Sequence, residues 1–331
     1  MLRVSYSAVQ DWRACQQRYA YRHIDKIQPK IRQAAPELGT IIHAYFEHYY
    51  AALYLNRDSK TSHRSAVEAV LSKKMRAEIQ AMAALADGLG SEDEAKTLLR
   101  IPITAKRLLT AYHRVRGAHD AGEHKVLLVE QSFELEFAPG IILPGKIDLL
   151  TETSHGIWLW EHKTTGNIPS QKHRFRDLQT LIYKVAIEEL YGHELAGVIW
   201  NYVHTRPPQM PRVLQNGTLS TAKNQTTTVD LYRRAVKKAD CETSEAFLRQ
   251  LERKEREQMF PRHTLPLAQA EEVLLRDYAT SVQEIGQARR NKDFVPVRNV
   301  SQQCDWCPYL KLCQAAVLGG DTAQIQRLHF Q

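Results

Sequence analysis

Residues 141–163 read IILPGKIDLLTETSHGIWLWEHK, and the two apolar runs in this stretch decide the fold. Ile141–Thr151 and Ile157–Lys163 are short and rich in Ile, Leu and Trp, so each is expected to be a strand, with a turn at 154–156 between them. The apolar start of the second suits a buried central position. Asp148 and Glu161 then stand on adjacent strands, and a strand period of two puts Glu161 and Lys163 on one sheet face with the His162 carbonyl between them. Two carboxylates and a carbonyl are hard oxygen donors suited to Mg2+ or Mn2+. A lysine beside them can position a water for attack on phosphorus or offset charge on the phosphate. In isolation such a pattern is more often the exposed end of two amphipathic strands.

Working outward, Lys125–Phe137 alternates like a strand and Ala138–Gly140 turns into Ile141. Gln171–Tyr191 reads as a helix and Ala196–His204 as a fourth strand. The order β-β-β-α-β describes an α/β core with a helix against a mixed sheet. Upstream, a capping-box pattern at 7–10 predicts a helix starting at Ser7 and carrying Trp12, Cys15 and Tyr19. Pro36 suits a first helical turn, and with Ala66–Leu85 and Glu92–Arg116 it opens a helical block. Downstream of Arg206-Pro-Pro208, Arg212–Leu214 and Thr226–Val229 are expected to form a hairpin, followed by helices over Leu231–Gln258 and Leu267–Arg290. The chain is therefore divided into an N-terminal segment (1–35), a helical block (36–122), a core (123–206), a hairpin and helical region (207–292) and a C-terminal segment (293–331).

The chain has 331 residues, 43% hydrophobic and 25% charged, which is the composition of a globular protein rather than a disordered or fibrous one. No run is long and apolar enough for a membrane span, and residues 1–17 lack the apolar core of a secretory signal. A cytoplasmic location is the expectation. The formal net charge of +8 favours a polyanionic partner. Of five cysteines, Cys304, Cys307 and Cys313 lie within ten residues, while Cys15 and Cys241 stand alone. That spacing suggests a metal site rather than a disulfide framework. Three thiolates need a fourth ligand, from Cys15, Cys241 or a histidine.

Further residues complete a pattern. Gly39-x-x-x-His43 offers an imidazole on the helix after Pro36, Gly145-x-x-Asp148 puts a glycine before the acidic strand, and Gln179-x-x-x-Tyr183 lies at i, i+4 on one helix face. The order G-x-x-x-H, G-x-x-D, E-x-K, Q-x-x-x-Y over residues 39–183 resembles the RecB-type branch of the PD-(D/E)XK nucleases, which includes AddB nuclease domains and CRISPR-associated adaptation nucleases. The resemblance implies a restriction-endonuclease-like core with a central mixed sheet flanked by helices. It implies His43, Asp148, Glu161 and the His162 carbonyl as ligands of Mg2+ or Mn2+, Lys163 as the catalytic lysine, and Gln179 and Tyr183 as its supports or contacts to DNA. Glu130 matches an acidic position of that branch and is expected to be structural.

The same branch carries a 4Fe–4S cluster held by one upstream cysteine and three downstream ones spaced C-x2-C-x5-C. By that resemblance Cys15, Cys304, Cys307 and Cys313 are the cluster ligands in a C-terminal iron–sulfur tail, with Cys241 free and zinc as the alternative metal. Gln16 stands where proline often follows the upstream cysteine. Lys172, Arg174 and above all Arg176, one turn before Gln179, are the expected phosphate contacts. Clusters at 233–238 and 289–292 are ordinarily solvated faces. Trp12, Tyr45 and Tyr49 are candidates for base stacking, with core packing expected for at least two of them.

The resulting expectation is a metal-dependent DNA exonuclease acting at free ends of single-stranded DNA. Its settings include recombination, repair, phage replication and CRISPR-related processing. With no phosphate-binding G-x-x-x-x-G-K-[ST] loop in the chain, a helicase or recombination protein would be a separate partner. The alternatives are a non-catalytic DNA-binding or assembly module on a nuclease scaffold, a zinc-stabilised RNA-processing protein, and a structure-selective endonuclease.

Overall fold

A computed structural model describes residues 1–170, 178–222, 225–265 and 271–331. Among them six strands form one mixed sheet: β1 (Leu2–Arg3), β2 (Lys125–Ala138), β3 (Ile141–Thr153), β4 (Gly156–Thr165), β5 (Leu195–His204) and β6 (Arg262–Leu265). β2 and β3 are an antiparallel hairpin closed at Gly140, whose φ of +76° suits glycine. β3 and β4 are antiparallel, and β4 and β5 run parallel. The core order read from the sequence is therefore present.

Helices cover both faces. Before the sheet come α1 (Tyr6–Ala14), α2 (Gln16–Tyr19), α3 (Ala34–Tyr54), α4 (Ser59–Val70), α5 (Lys73–Gly88), α6 (Glu92–Tyr112) and α7 (Ala118–Glu123). α8 (Leu178–Tyr191) precedes β5. After it follow α9 (Val229–Ala239), α10 (Glu245–Lys254), α11 (Glu271–Arg290), α12 (Leu310–Leu318) and α13 (Thr322–His329). On one face Ile42, Tyr45, Phe46, Tyr49 and Tyr50 of α3, with α4, α5 and α6, pack on Leu149, Trp160 and Val203. On the other, Ile147, Leu150 and Leu159 meet Ile182, Ala186 and Ile187 of α8, Tyr278 and Val282 of α11, and Val9 and Trp12 of α1. Among the described residues no helix is long and apolar enough to cross a membrane.

The structure departs from the sequence reading at several boundaries. Ser5, not Ser7, caps α1, accepting from Ala8 N at 3.3 Å. The helix expected over Ala66–Leu85 is two helices, because Ser72 caps a new one through Met75 N. The helix expected over Leu231–Gln258 breaks at Asp240, whose φ is +48°, and restarts after the Ser244 cap. Val213 bridges Leu219 rather than residues 226–229, since Thr228 is the N-cap of α9. β1 and β6 were too short to read; β6 adds an antiparallel edge to β5.

The chain ends are tied together. Gln28 and Gln331 exchange two backbone hydrogen bonds, of 2.9 and 2.8 Å, and Lys30 N donates to His329 O. Tyr21 and Ile27 share a small core with Tyr309, Leu312 and Phe330.

A histidine pair makes the helical block acid-sensitive. His63 and His113 stack with centroids 4.2 Å apart, held by Tyr45 and Ser59 through bonds of 2.8 and 2.9 Å. Burial, and after it the neighbouring His113, pushes His63 down to about 4; burial also lowers His113. The unfolded chain protonates such rings near pH ~6.5, so it binds more protons than the fold between there and about pH 4. The stability contributed by these neutral rings is full above that window and is lost as pH falls through it. Melting temperatures of wild type should therefore drop more steeply from pH 7 to pH 5 than those of His63→Gln, as followed by circular dichroism. Parallel curves would refute this.

Candidate active site

The site forms where β3 and β4 part. Their ladder runs from Thr153↔Gly156 to Leu149↔Trp160 and stops; the next residues are Asp148 and Glu161. Beyond that point β4 continues beside β5 as far as Thr165↔His204. The His162 N–H, with no β3 carbonyl opposite, donates to Asp148 Oδ2 at 2.9 Å. Buried peptide groups must be paired, and here a carboxylate replaces the missing ladder bond.

Side-chain alternation also changes phase at this point. Ile147 points into the core beneath α8, whereas Leu149 points into the core beneath α3. Between the pairs Val129↔Leu149 and Gln131↔Ile147 stands Glu130, with φ +48°. A left-handed non-glycine residue inside a strand costs about 1–3 kcal/mol. His43, Glu130 and Asp148 each offer an atom within 4.8 Å of the others, a group able to hold a metal ion. His43 Nδ1 lies 3.9 Å from Asp148 Oδ2, and Lys146 pairs with Glu130 at 2.5 Å. Glu130 thus lies in the site rather than serving the scaffold alone. The spacing of the sequence gave no sign of this, because the strand irregularity that turns its carboxylate is a backbone feature.

Two glycines let the elements close. A Cβ at Gly39 would lie 2.8 Å from Thr164 Oγ1, so glycine lets α3 approach β4 and deliver His43 one turn later. A Cβ at Gly145 would overlap the ring of Phe133, which packs edge-on against Tyr183 with centroids 5.4 Å apart.

Glu161 and Lys163 share the α8 face, as the strand period requires. Glu161 is buried, and its Oε2 accepts from Lys163 Nζ and from Gln179 Nε2, both at 2.9 Å. Lys163 also donates to Gln179 Oε1 at 3.0 Å and lies 5.4 Å from the centre of the Trp200 ring. The three side chains close a ring of hydrogen bonds. Glu161 is therefore directed at Lys163 and Gln179 and stands outside the group formed by His43, Glu130 and Asp148. Tyr183 lies one turn after Gln179, in contact with its side chain and with the Lys146 backbone; burial pushes its hydroxyl up to about 12. The His162 side chain takes the opposite face, stacked on Phe46 with centroids 4.0 Å apart.

The electrostatics suit a cation. Burial pushes Asp148 up to about 6, against the opposing pull of the His162 N–H and Lys163, while Glu130 raises it further. Burial lowers His43, opposed by Glu130 and by a hydrogen bond to the His162 backbone. One imidazole and two carboxylates at this spacing form a mixed nitrogen and oxygen donor set that fits Mg2+ or Mn2+.

Other candidates fall elsewhere. Lys172, Arg174 and Arg176 lie outside the described residues. Trp12, Tyr45 and Tyr49 are all buried, so none offers a ring for base stacking. Arg289 is taken up by Tyr19 and the Arg3 carbonyl, whereas Arg233, Arg234, Lys237 and Lys238 form an exposed helix face. Cys15, Cys304, Cys307 and Cys313 line one cavity of about 50 Å3 together with Arg18 and Arg298. Cys15 and Cys304 face the Val297 and Asn299 carbonyls, both at 3.9 Å. Gln16, in place of a proline, holds Val297 N at 3.1 Å. Cys241 packs in a separate cluster with α9 and α10.

The family model of the PD-(D/E)XK nuclease superfamily matches residues 3–314. The chain belongs to this superfamily. It is accordingly a metal-dependent nuclease of mixed α/β fold, with a divalent cation as cofactor and DNA as substrate. No curated protein matches the chain.

The Gly145 contact carries a stability prediction. Gly145→Ala should destabilise the fold by roughly 1–3 kcal/mol, the usual cost of forcing extra volume into a packed core. Adding Phe133→Leu should recover part of the loss in urea titrations; a neutral single substitution would show that the ring yields freely.

Proposed function

We propose that the protein is a DNA exonuclease that works from free ends of single-stranded DNA, with an iron–sulfur cluster closing its two terminal segments on the core. The observation that carries the catalytic reading is the meeting of His43, Glu130 and Asp148 within 4.8 Å, beside the hydrogen-bonded ring of Glu161, Lys163 and Gln179. His43, Asp148 and Glu130 would hold the cation with the His162 carbonyl, and Glu161 would join them by exchanging its contact with Lys163. When bound, a divalent cation supplies charge neutralisation at the phosphate and acidifies the attacking water. Lys163, kept in place by Gln179 once Glu161 turns to the cation, binds a phosphate oxygen or orients the water and holds a proton at Nζ. Tyr183 keeps Gln179 in place. The end preference is supported by the resemblance of the motif series and by the helical layer carrying His43. Recombination, repair, phage replication and CRISPR-related processing are the settings that fit, with Lys172, Arg174 and Arg176 as the phosphate contacts.

The cluster reading rests on the donor set. Four thiols line one cavity, and four thiolates are the number that holds a 4Fe–4S cluster. Arg18 and Arg298 beside them would balance thiolate charge.

With Mn2+, wild type should degrade end-labelled linear single strands and leave circles intact, and Lys163→Ala should lose at least a hundredfold in rate, as expected for removal of a charged catalytic group. Cleavage of circles would make the enzyme an endonuclease, and equal activity in the variant would favour a non-catalytic binding module. Anaerobically purified protein should contain iron and acid-labile sulfide in equal amounts, lost in Cys304→Ala. Zinc without sulfide would overturn the cluster.

A further inference from the structure

Behind the site lies a buried polar chain that ends on His162. Asp120 is fully buried and accepts from Arg262 Nη1 and Nη2 at 2.6 and 2.7 Å, and from the Tyr50 hydroxyl at 2.8 Å. The Arg262 guanidinium stacks over Trp160 at 4.6 Å, and its Nε donates to Asn201 Oδ1 at 3.1 Å. Arginine has only donors, so Asn201 must present its oxygen to Arg262. Its amide nitrogen therefore faces the Tyr112 hydroxyl at 2.8 Å and His162 Nδ1 at 3.0 Å. His162 Nδ1 is thereby an acceptor, and the ring proton sits on Nε2. The ring itself packs on Phe46 and Tyr50, at centroid distances of 4.0 and 5.7 Å.

This arrangement fixes more than a side chain. The His162 N–H holds Asp148 at 2.9 Å, and the His162 ring lies edge-on to that of His43, with centroids 6.2 Å apart. Locking the ring locks the Cα–Cβ bond and with it the peptide that holds Asp148. Stability alone does not account for the choice of histidine. Its Nε2 is buried without a hydrogen-bond partner among the described residues, a cost that an apolar side chain would avoid. Asn201 likewise interrupts an apolar strand, GVIWNYVH, with a fully buried amide.

We infer that Asn201, oriented by the Arg262–Asp120 pair, is a positioning residue for the metal centre, setting the His162 tautomer and through it the peptide between Asp148 and His43. The inference rests on the metal-site reading above. Outer partners of a metal site typically change affinity by about 10- to 100-fold when removed. In the full chain, Asn201→Leu should weaken Mn2+ binding about tenfold by titration calorimetry. Tyr278→Phe, which removes a buried hydrogen bond in the opposite core, should lower the melting temperature without weakening Mn2+. Without any metal, 15N shifts of labelled histidine should show His162 protonated at Nε2 in wild type. An Asn201→Leu protein that is folded and binds Mn2+ like wild type overturns the positioning role. So does an Nδ1-protonated His162, which can be read in wild type even if the variant fails to fold. Absence of Mn2+ binding in wild type overturns the metal-site reading itself, and this inference with it.

Discussion

One hydrogen bond, from the His162 N–H to the Asp148 carboxylate, stands at the point on which the site depends. Two antiparallel strands separate there, and a separation inside a protein leaves peptide groups without partners. Filling the gap with a carboxylate solves the backbone problem and at the same time brings an acid into a buried cleft. Burial makes that acid harder to ionise and outweighs the groups that favour its charge, pushing it up to about 6. Lys163 from β4 and Lys146 from β3 supply the opposing charge, so local chain geometry and local electrostatics are parts of one arrangement.

The two faces of the sheet divide the work. The α8 face carries the lysine, held by Glu161 and Gln179. The α3 face carries His43 and the aromatic bed under His162. Because the alternation changes phase at Asp148, this residue belongs to neither face alone and can serve both sets of side chains. The strain at Glu130 follows from the same irregularity: a strand that keeps its register across a phase change must absorb the mismatch somewhere, and here it does so at an acidic residue.

Much of this was legible in the sequence. The strand patterns over 125–163 and the helical spacing over 171–191 set out the core, and the period of two put Glu161 and Lys163 together. Gly39 and Gly145 were visible as motif members, although their reason, close approach to Thr164 and Phe133, is a matter of packing. The helix breaks at 71–72 and 240 were hidden because good helix formers lie on both sides and only a cap or a left-handed residue interrupts them. β6 was hidden because four residues carry too little pattern. The Asp120–Arg262 pair spans 142 positions, and no local rule connects such residues. Glu130 needed a backbone angle that composition does not encode.

The pairing of residues 28–30 with 329–331 has a consequence for how the chain is made. During synthesis the helical layer and the strands through β5 emerge together, and β6 and α11 follow to complete the sheet edge and the second core. Residues 15–30 wait longer: Tyr21 and Ile27 need Tyr309, Leu312 and Phe330, and Cys15 needs the segment at 297–313. Loop closure over such a separation costs only slightly more than over a shorter one, so the delay is one of translation rather than of equilibrium. On the ribosome, then, the segment carrying Cys15, Tyr21 and Ile27 stays open to chaperones and proteases until residues 297–330 have been made.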